Sequence, residues 1–533
     1  MAVAPSPLAG TNSSLTEKIV DFQSVRSSIG EIGRQSALFF SSTVFALACN
    51  YFFKLFVARQ LGARLIGWNA LGIGIYSVAK LAGQMGLPGT AVRFVSAYRS
   101  TNDFERLRGF FWRGLAWSLL GATAIALATC VLRQWLAVHL MHEPAMAAYL
   151  PLYALLIPVG VASSFLSQTF KGFGKAGRAS FLSNCFGLPL MIVLSTIGFV
   201  LGYSLIGYVV AQVLAEFLTL FLIAAELRKL TRGSLHPWGH SLPAIESKAR
   251  RFAVSFLGIG WLDFAMGHAD RFVVAYFLGA KELGIYSLAT SAAVVVPLVL
   301  QAVNSVFGPM ISRLHVQQRK KLLAHLYQTL TKWTLGLTLP LGFVLVIFAE
   351  PLMGLFGPDF RAGWLVLVII SLAEIVDCGV GSVGFLLMMS GNEKRYIRMQ
   401  MLLAPAILLL KMILIPTLGL TGAAIGAALA IVGSNLAYLV QVRKALDMQP
   451  LNLSYTRLLI PSLVAAAIVS TMRFTVLRFP APILLVIPVA LATSYLGFLF
   501  TAQFCLTSEE EALAGLAWKR ARSMIRFPVL RSA

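Results

Sequence analysis

Lys54, Lys80 and Arg271 stand inside apolar runs long enough to cross a membrane, where a charge is costly and turns toward a bundle interior or a water-filled cavity. Lys54 follows Thr43 and Asn50 at spacings of 7 and 4, so the three share one helical face. Lys80 follows Asn69 and Tyr76 at 7 and 4 and precedes Gln84 by 4, again one face. Two or three cations in a low-dielectric vestibule pair with a diphosphate through charge-assisted hydrogen bonds, and the pattern predicts a large anionic substrate. For Lys54 and Arg271, both in the outer third of their helices, the competing structural reading is an anchor whose head snorkels to the interface. Lys80 lies deeper and has less freedom to do so.

The acidic groups read differently. Asp263, Gly267, Asp270 and Arg271 fall within a stripe of about 100° on one helix, so the aspartates either neutralise Arg271 or hold a proton or cation. Glu374 and Asp377, at i and i+3, share a face, and a carboxylate pair in lipid shares a proton or binds a cation. Asp263, Asp270, Glu374 and Asp377 are therefore the candidates for coupling to a H+ or Na+ gradient. Glu216 and Lys411 read as isolated. No catalytic residue, metal site or cofactor is expected. The five cysteines lack ligand spacing, His139, His142 and His268 have no metal partner at i+4, and no Gly-rich loop ending in Gly-Lys-Ser/Thr occurs.

Transmembrane helices must position these residues. The 533-residue chain is 58% hydrophobic and 12% charged, against about 25% charged in a soluble domain. That composition excludes a soluble enzyme and indicates an all-α polytopic membrane protein. Windows of about 20 apolar residues place fourteen spans, among them 252–276 and 285–308. The expected organisation is a cytoplasmic tail 1–36, six helices in 37–230, a basic linker 231–251, six helices in 252–445, two more in 456–506, and a basic amphipathic tail 507–533. That last tail opens on a capping box, Ser508 with Glu511, and reads as an interfacial helix.

The net charge of +23 comes from 44 Lys+Arg against 21 Asp+Glu. With the N-terminus inside, 33 basic residues fall on the inner face, 7 on the outer, and 4 (Lys54, Lys80, Arg271 and Lys411) within spans. This asymmetry places both termini in the cytoplasm, and makes anionic lipid, not nucleic acid, the partner of the surface charge. Outer loops are short, the longest about 14 residues near 133–146, which speaks against a membrane glycosyltransferase or polymerase.

The chain matches itself at an offset of 217. Leu61-Gly62-Ala63 and Gly67 fall on Leu278-Gly279-Ala280 and Gly284, Gln84 on Gln301, Lys54 on Arg271 and Gly202 on Gly419, and the stretch 171–175 resembles 390–394. Two six-helix repeats of parallel orientation are expected, with the last two helices outside them. The strings FVARQLGA at 56–63 and DRFVVAYFLGA at 270–280, each followed by its glycine, resemble polysaccharide transporters of the Wzx-like, O-antigen flippase type. These belong to the multidrug/oligosaccharidyl-lipid/polysaccharide exporter superfamily. The resemblance covers about 36–505.

It implies two lobes that alternate access to a central cationic cavity and flip polyprenyl-diphosphate-linked oligosaccharide across a bacterial inner membrane. Lys54 and Arg271 occupy positions that tend to line such a cavity, and the final two helices would border a groove for the lipid tail. In this reading Lys54, Arg271 and Lys80 hold the diphosphate, while Asn50, Asn69, Gln84, Gln301 and Asn304 bond the sugar. A polysaccharide polymerase and glycosyltransferases of the same pathway are the expected partners. A small-molecule antiporter of the superfamily would favour carboxylates over cations, and a major-facilitator carrier would carry Gly-x-x-x-Asp-Arg/Lys in the loop from Pro88 to Arg108, which it lacks. A peptidoglycan-precursor flippase is the nearest alternative.

Overall fold

The computed structural model describes residues 10–231, 235, 243–450, 453–478 and 482–505. Among them every regular element is a helix, the form in which apolar chain satisfies its own backbone groups in hydrocarbon. Among the described residues ten helices are long and apolar enough to cross a membrane, or twelve if each of two bent pairs is one span, where the sequence reading has fourteen. Two of the ten hold two expected spans each: Ser41–Gly83, 43 residues, and Glu393–Leu446, 54 residues, where one crossing takes about 20. They turn at Gly62 (φ 72°, ψ 173°) and Gly419 (φ 61°, ψ −138°). The amphipathic tail 507–533 and the side chains of the N-terminal tail lie outside the described residues.

The windows 252–276 and 285–308 read as straight spans, and the structure corrects both. Ser247–Gly267 meets Asp270–Leu278 at 42°, and Ala280–Ala293 meets Leu298–Asn304 at 54°. Hydropathy sums over a window and is blind to local backbone. The second break ends on Pro297, which has no N–H to continue a helix. Asp263 and Asp270 therefore do not share one straight stripe.

The chain divides into two compact units, 1–61 with 68–261, and 62–67 with 262–533. The lobes expected from the sequence were 37–230 and 252–445, joined by the linker 231–251. The start of Ser247–Gly267 packs inside the first unit: Arg93 lies over the Phe252 ring at 4.9 Å, and a Cβ at Gly86 would meet the Ala253 carbonyl oxygen at 2.1 Å. Among the described residues two clusters stand out in the first unit's core. One is aromatic, around Phe110, Phe165 and Phe170. The other is built on Ala79, Ala122, Ala126 and Ala154, small residues that let membrane helices approach closely. The second unit closes on Phe307, Tyr327, Leu386 and Tyr438. Its last two helices pack on each other and on Lys320–Ile347, where the Tyr495 hydroxyl donates to the Leu337 carbonyl at 2.6 Å.

The internal repeat has a backbone signature. Gly62 and Gly279, Gly174 and Gly391, and Gly202 and Gly419, all 217 apart, each take positive φ, a region that glycine enters without strain. Within the second unit, a Cβ at Gly67 would lie 1.7 Å from the Ala280 carbonyl oxygen, and one at Gly284 would lie 1.9 Å from that of Ala63. The two contacts are reciprocal under the repeat. Gly284→Ala is expected to force these segments apart and lower the melting temperature of the purified protein by several degrees. Gly258→Ala, which meets nothing within 4 Å, should leave it unchanged. Equal melting temperatures for the two variants would refute the packing argument.

Candidate functional site

In the first unit, Lys54 and Asn50 lie one turn apart and are both partly buried. Phe53 against Tyr208 (6.1 Å) and Phe56 against Phe199 (5.8 Å) fix the rotation of their helix. Beyond Gly62, Tyr153, fully buried, donates its hydroxyl to Asn69 Oδ1 at 2.9 Å. Its ring occupies the space a side chain at Gly72 would need. About one turn beyond Gly72, Tyr76 rests its hydroxyl on Gly160, and Lys80 Nζ lies 5.5 Å from the Tyr76 ring centroid, a cation–π contact. Asn69, Tyr76 and Lys80 thus keep the common face that their spacing implies. Gln84 does not, because the helix ends at Gly83 and Gln84 opens the turn that follows.

In the second unit the charges gather around the break of the bent helix. Asp263, in its first half, accepts from Gln400 Nε2 at 2.6 Å, and the same nitrogen lies 3.1 Å from the Tyr396 hydroxyl. Asp270 is the first residue of the second half. Its Oδ1 accepts from the Arg271 backbone N–H at 3.0 Å, and its Oδ2 accepts from the Tyr286 hydroxyl at 2.5 Å. Lys411, 1% exposed, spans the break: its Nζ lies 3.6 Å from Asp270 Oδ2 and donates to the Met266 carbonyl at 3.3 Å. One ammonium therefore meets the negative C-terminal end of one helix and the carboxylate that opens the next. Gly426 makes room for it, since a Cβ there would meet Lys411 Cγ at 2.8 Å.

Two corrections follow. Lys411, read as isolated, is half of a buried ion pair. Asp270, read either as a neutraliser of Arg271 or as a proton or cation site, pairs with Lys411, and among the described residues the Arg271 guanidinium makes no ion pair. The sequence did hold a signal for this. Gln400, Ala404, Ile407 and Lys411, spaced 4, 3 and 4, are all buried on one face of Glu393–Leu446. No spacing in the sequence singled out Tyr286, whose hydroxyl completes the contacts of Asp270.

Other candidates scatter. The Ser382 hydroxyl bonds Asn304 Oδ1, whereas Gln301 is exposed. Glu374 and Asp377 do share a face of Trp364–Val380, and neither makes an ion pair among the described residues. Glu216, read as isolated, lines a cavity in the first unit together with Tyr76 and Gln212.

A sequence profile described as polysaccharide biosynthesis protein matches residues 56–361. The succinoglycan biosynthesis transport protein ExoT of Rhizobium meliloti (strain 1021) is 26% identical over 325 residues, 60% of this chain and 61% of that protein, so the match spans about three fifths of that relative. The probable low-salt glycan biosynthesis flippase Agl15 of Haloferax volcanii is 22% identical over 410 residues, 75% of this chain and 81% of that one. Among solved structures, the lipid II flippase MurJ in an inward closed conformation aligns at a TM-score of 0.68 and 13% identity, covering 88% of this chain and 98% of that one. An inward-facing multidrug resistance MATE family transporter of the MOP superfamily aligns at 0.62 and 14% identity, covering 76% and 94%. These structural likenesses establish the fold.

Proposed function

The chain belongs to the polysaccharide biosynthesis protein family, and from that premise we propose that it is a flippase carrying polyprenyl-diphosphate-linked oligosaccharide from the cytoplasmic to the outer leaflet of a bacterial inner membrane by alternating access. The physical problem is a glycan and a diphosphate that must pass about 30 Å of hydrocarbon while the polyprenyl tail stays in lipid. The observation that carries the reading is the charge arrangement around the helix break. Lys411 takes up Asp270, so the positive charge of Arg271 is left for an anionic ligand. Lys80 and Lys54 add positive charge at membrane depth in the first unit. Guanidinium and ammonium donors pair well with phosphate oxygens.

Asn50 remains available, and Asn69 keeps its amide nitrogen while Tyr153 takes its oxygen. The names of the relatives support a glycan pathway, and the excess of inner-face Lys and Arg supports cytoplasmic termini. Deleting the gene in the native host is expected to stop export of the surface polymer and to accumulate its lipid-linked repeat unit in the cytoplasmic leaflet, read by metabolic labelling and lipid extraction. Normal export with no accumulated intermediate would contradict the proposal.

A further inference from the structure

Cys49 and Cys185 stand on neighbouring helices of the first unit, each half-buried and each a free thiol. Cys49 is seven residues past Ser42 and seven before Phe56, so the three share one face of their helix. That face is turned to the helix Ala176–Val200: the Ser42 hydroxyl lies 3.2 Å from that of Ser180, and the Phe56 ring lies 5.8 Å from that of Phe199. The two helices therefore run parallel. At 1.5 Å of rise per residue, Cys49 stands about 10 Å beyond the paired serines, and Cys185, five residues past Ser180, about 7.5 Å beyond them.

A regular α-helix would turn Cys185 about 140° away from Ser180. The backbone is not regular there. Ser183–Gly187 is a π-helical turn, closed by the Leu188 N–H on the Ser183 carbonyl, and winding of i→i+5 type brings the fifth residue back over the first. Asn184 Nδ2, donating to Ser180 Oγ at 3.0 Å, holds the start of the turn in place. A charge on Cys49 acts on the Cys185 sulfur, as it does only between near neighbours. Packing between these helices is thin: the described residues that Ala176–Val200 buries are Gly177, Ala179, Gly187, Ser195 and Gly198, all small.

We propose that Cys49 and Cys185 form a redox clamp, closing to a disulfide that pins the helix of Lys54 to Ala176–Val200, with a lipid-soluble quinone as the oxidant. Both S–H bonds break and one S–S bond forms, while the two protons and two electrons convert the quinone to its hydroquinone. Cys49 lies about 12 Å past Ser41, where its span begins, so an oxidant dissolved in hydrocarbon reaches the pair and a charged aqueous thiol does not. Cys378 belongs to the second unit, and Cys130 stands near the end of Phe104–Val131. The clamp stands on this geometry alone, whatever the transported substrate proves to be.

The test treats the purified full chain in detergent with a fully substituted, lipid-soluble benzoquinone, then labels the remaining thiols with a maleimide and maps them by peptide mass spectrometry. The wild type should lose label at Cys49 and Cys185, yield the peptide that links them, and melt several degrees higher than the reduced protein. Dithiothreitol should reverse all three. Cys49→Ser and Cys185→Ser should each abolish the link and the thermal shift, with Cys130→Ser retaining both. Full labelling of Cys49 and Cys185 in the oxidised wild type overturns the proposal. So does a link that joins another pair of cysteines or two copies of the chain, and a Cys49–Cys185 link that leaves the melting temperature unchanged contradicts the clamp. Either serine variant alone removes the link, so one that folds decides.

Discussion

Lys411→Met is expected to destabilise the second unit by about 3–5 kcal/mol, because it strands the Asp270 carboxylate, 6% exposed, without its counter-ion. Asp270→Asn should cost a comparable amount by stranding the ammonium. The double variant Asp270→Asn/Lys411→Met removes both charges and should be closer to wild type than either single variant, since an uncompensated buried charge costs more than an absent pair. Thermal unfolding of the four proteins completes the cycle. Function should follow the same order. In Lys411→Met the freed Asp270 becomes the counter-ion of neighbouring Arg271 and export falls, whereas the double variant regains it. Single costs that simply add in the double variant would show that the pair is not coupled, and the account of Arg271 would fail with it.

The sequence made the class of fold readable because membrane crossing leaves a strong mark: apolar runs, few charges and basic residues biased to one side. The repeat was also legible, through glycines whose backbone conformation has no substitute. The breaks were not. Gly267-His268-Ala269 and the stretch ending at Pro297 sit inside runs apolar enough to pass as spans, so a window average passes over them. Their effect on the site was large, since the bend is what brings Met266, Asp270 and Lys411 to one point.

Spacing put Asn69, Tyr76 and Lys80 on one face of their helix but said nothing of partners from other helices. Tyr153, Gln400 and Lys411 reach their contacts from 84, 137 and 141 residues away along the chain. Periodicity within one helix carries no information about such meetings. It does show that Gln400 and Lys411 share a face, and two polar residues on an otherwise apolar stripe were the readable hint.

Neutralising Lys54 and Arg271 together, as Lys54→Gln/Arg271→Gln, should reduce glycan export about 100-fold or more with the protein level unchanged. Each lost hydrogen bond to a charged group is worth about 1.5–3 kcal/mol, and two of them together reach the 2.8 kcal/mol that corresponds to about 100-fold. Lys54→Arg/Arg271→Lys keeps both charges and should retain most of the activity. A role confined to snorkelling anchors would instead lower the amount of protein in the membrane and spare the export each molecule performs.

The most direct measurement is transbilayer movement of a polyprenyl-diphosphate oligosaccharide in proteoliposomes holding the purified chain, with outward-facing glycan read by its accessibility to an added glycosidase. The account predicts movement well above that in protein-free liposomes, and its loss in Lys54→Gln/Arg271→Gln. Movement no faster than in protein-free liposomes, or equal movement by wild type and the double variant, would contradict it.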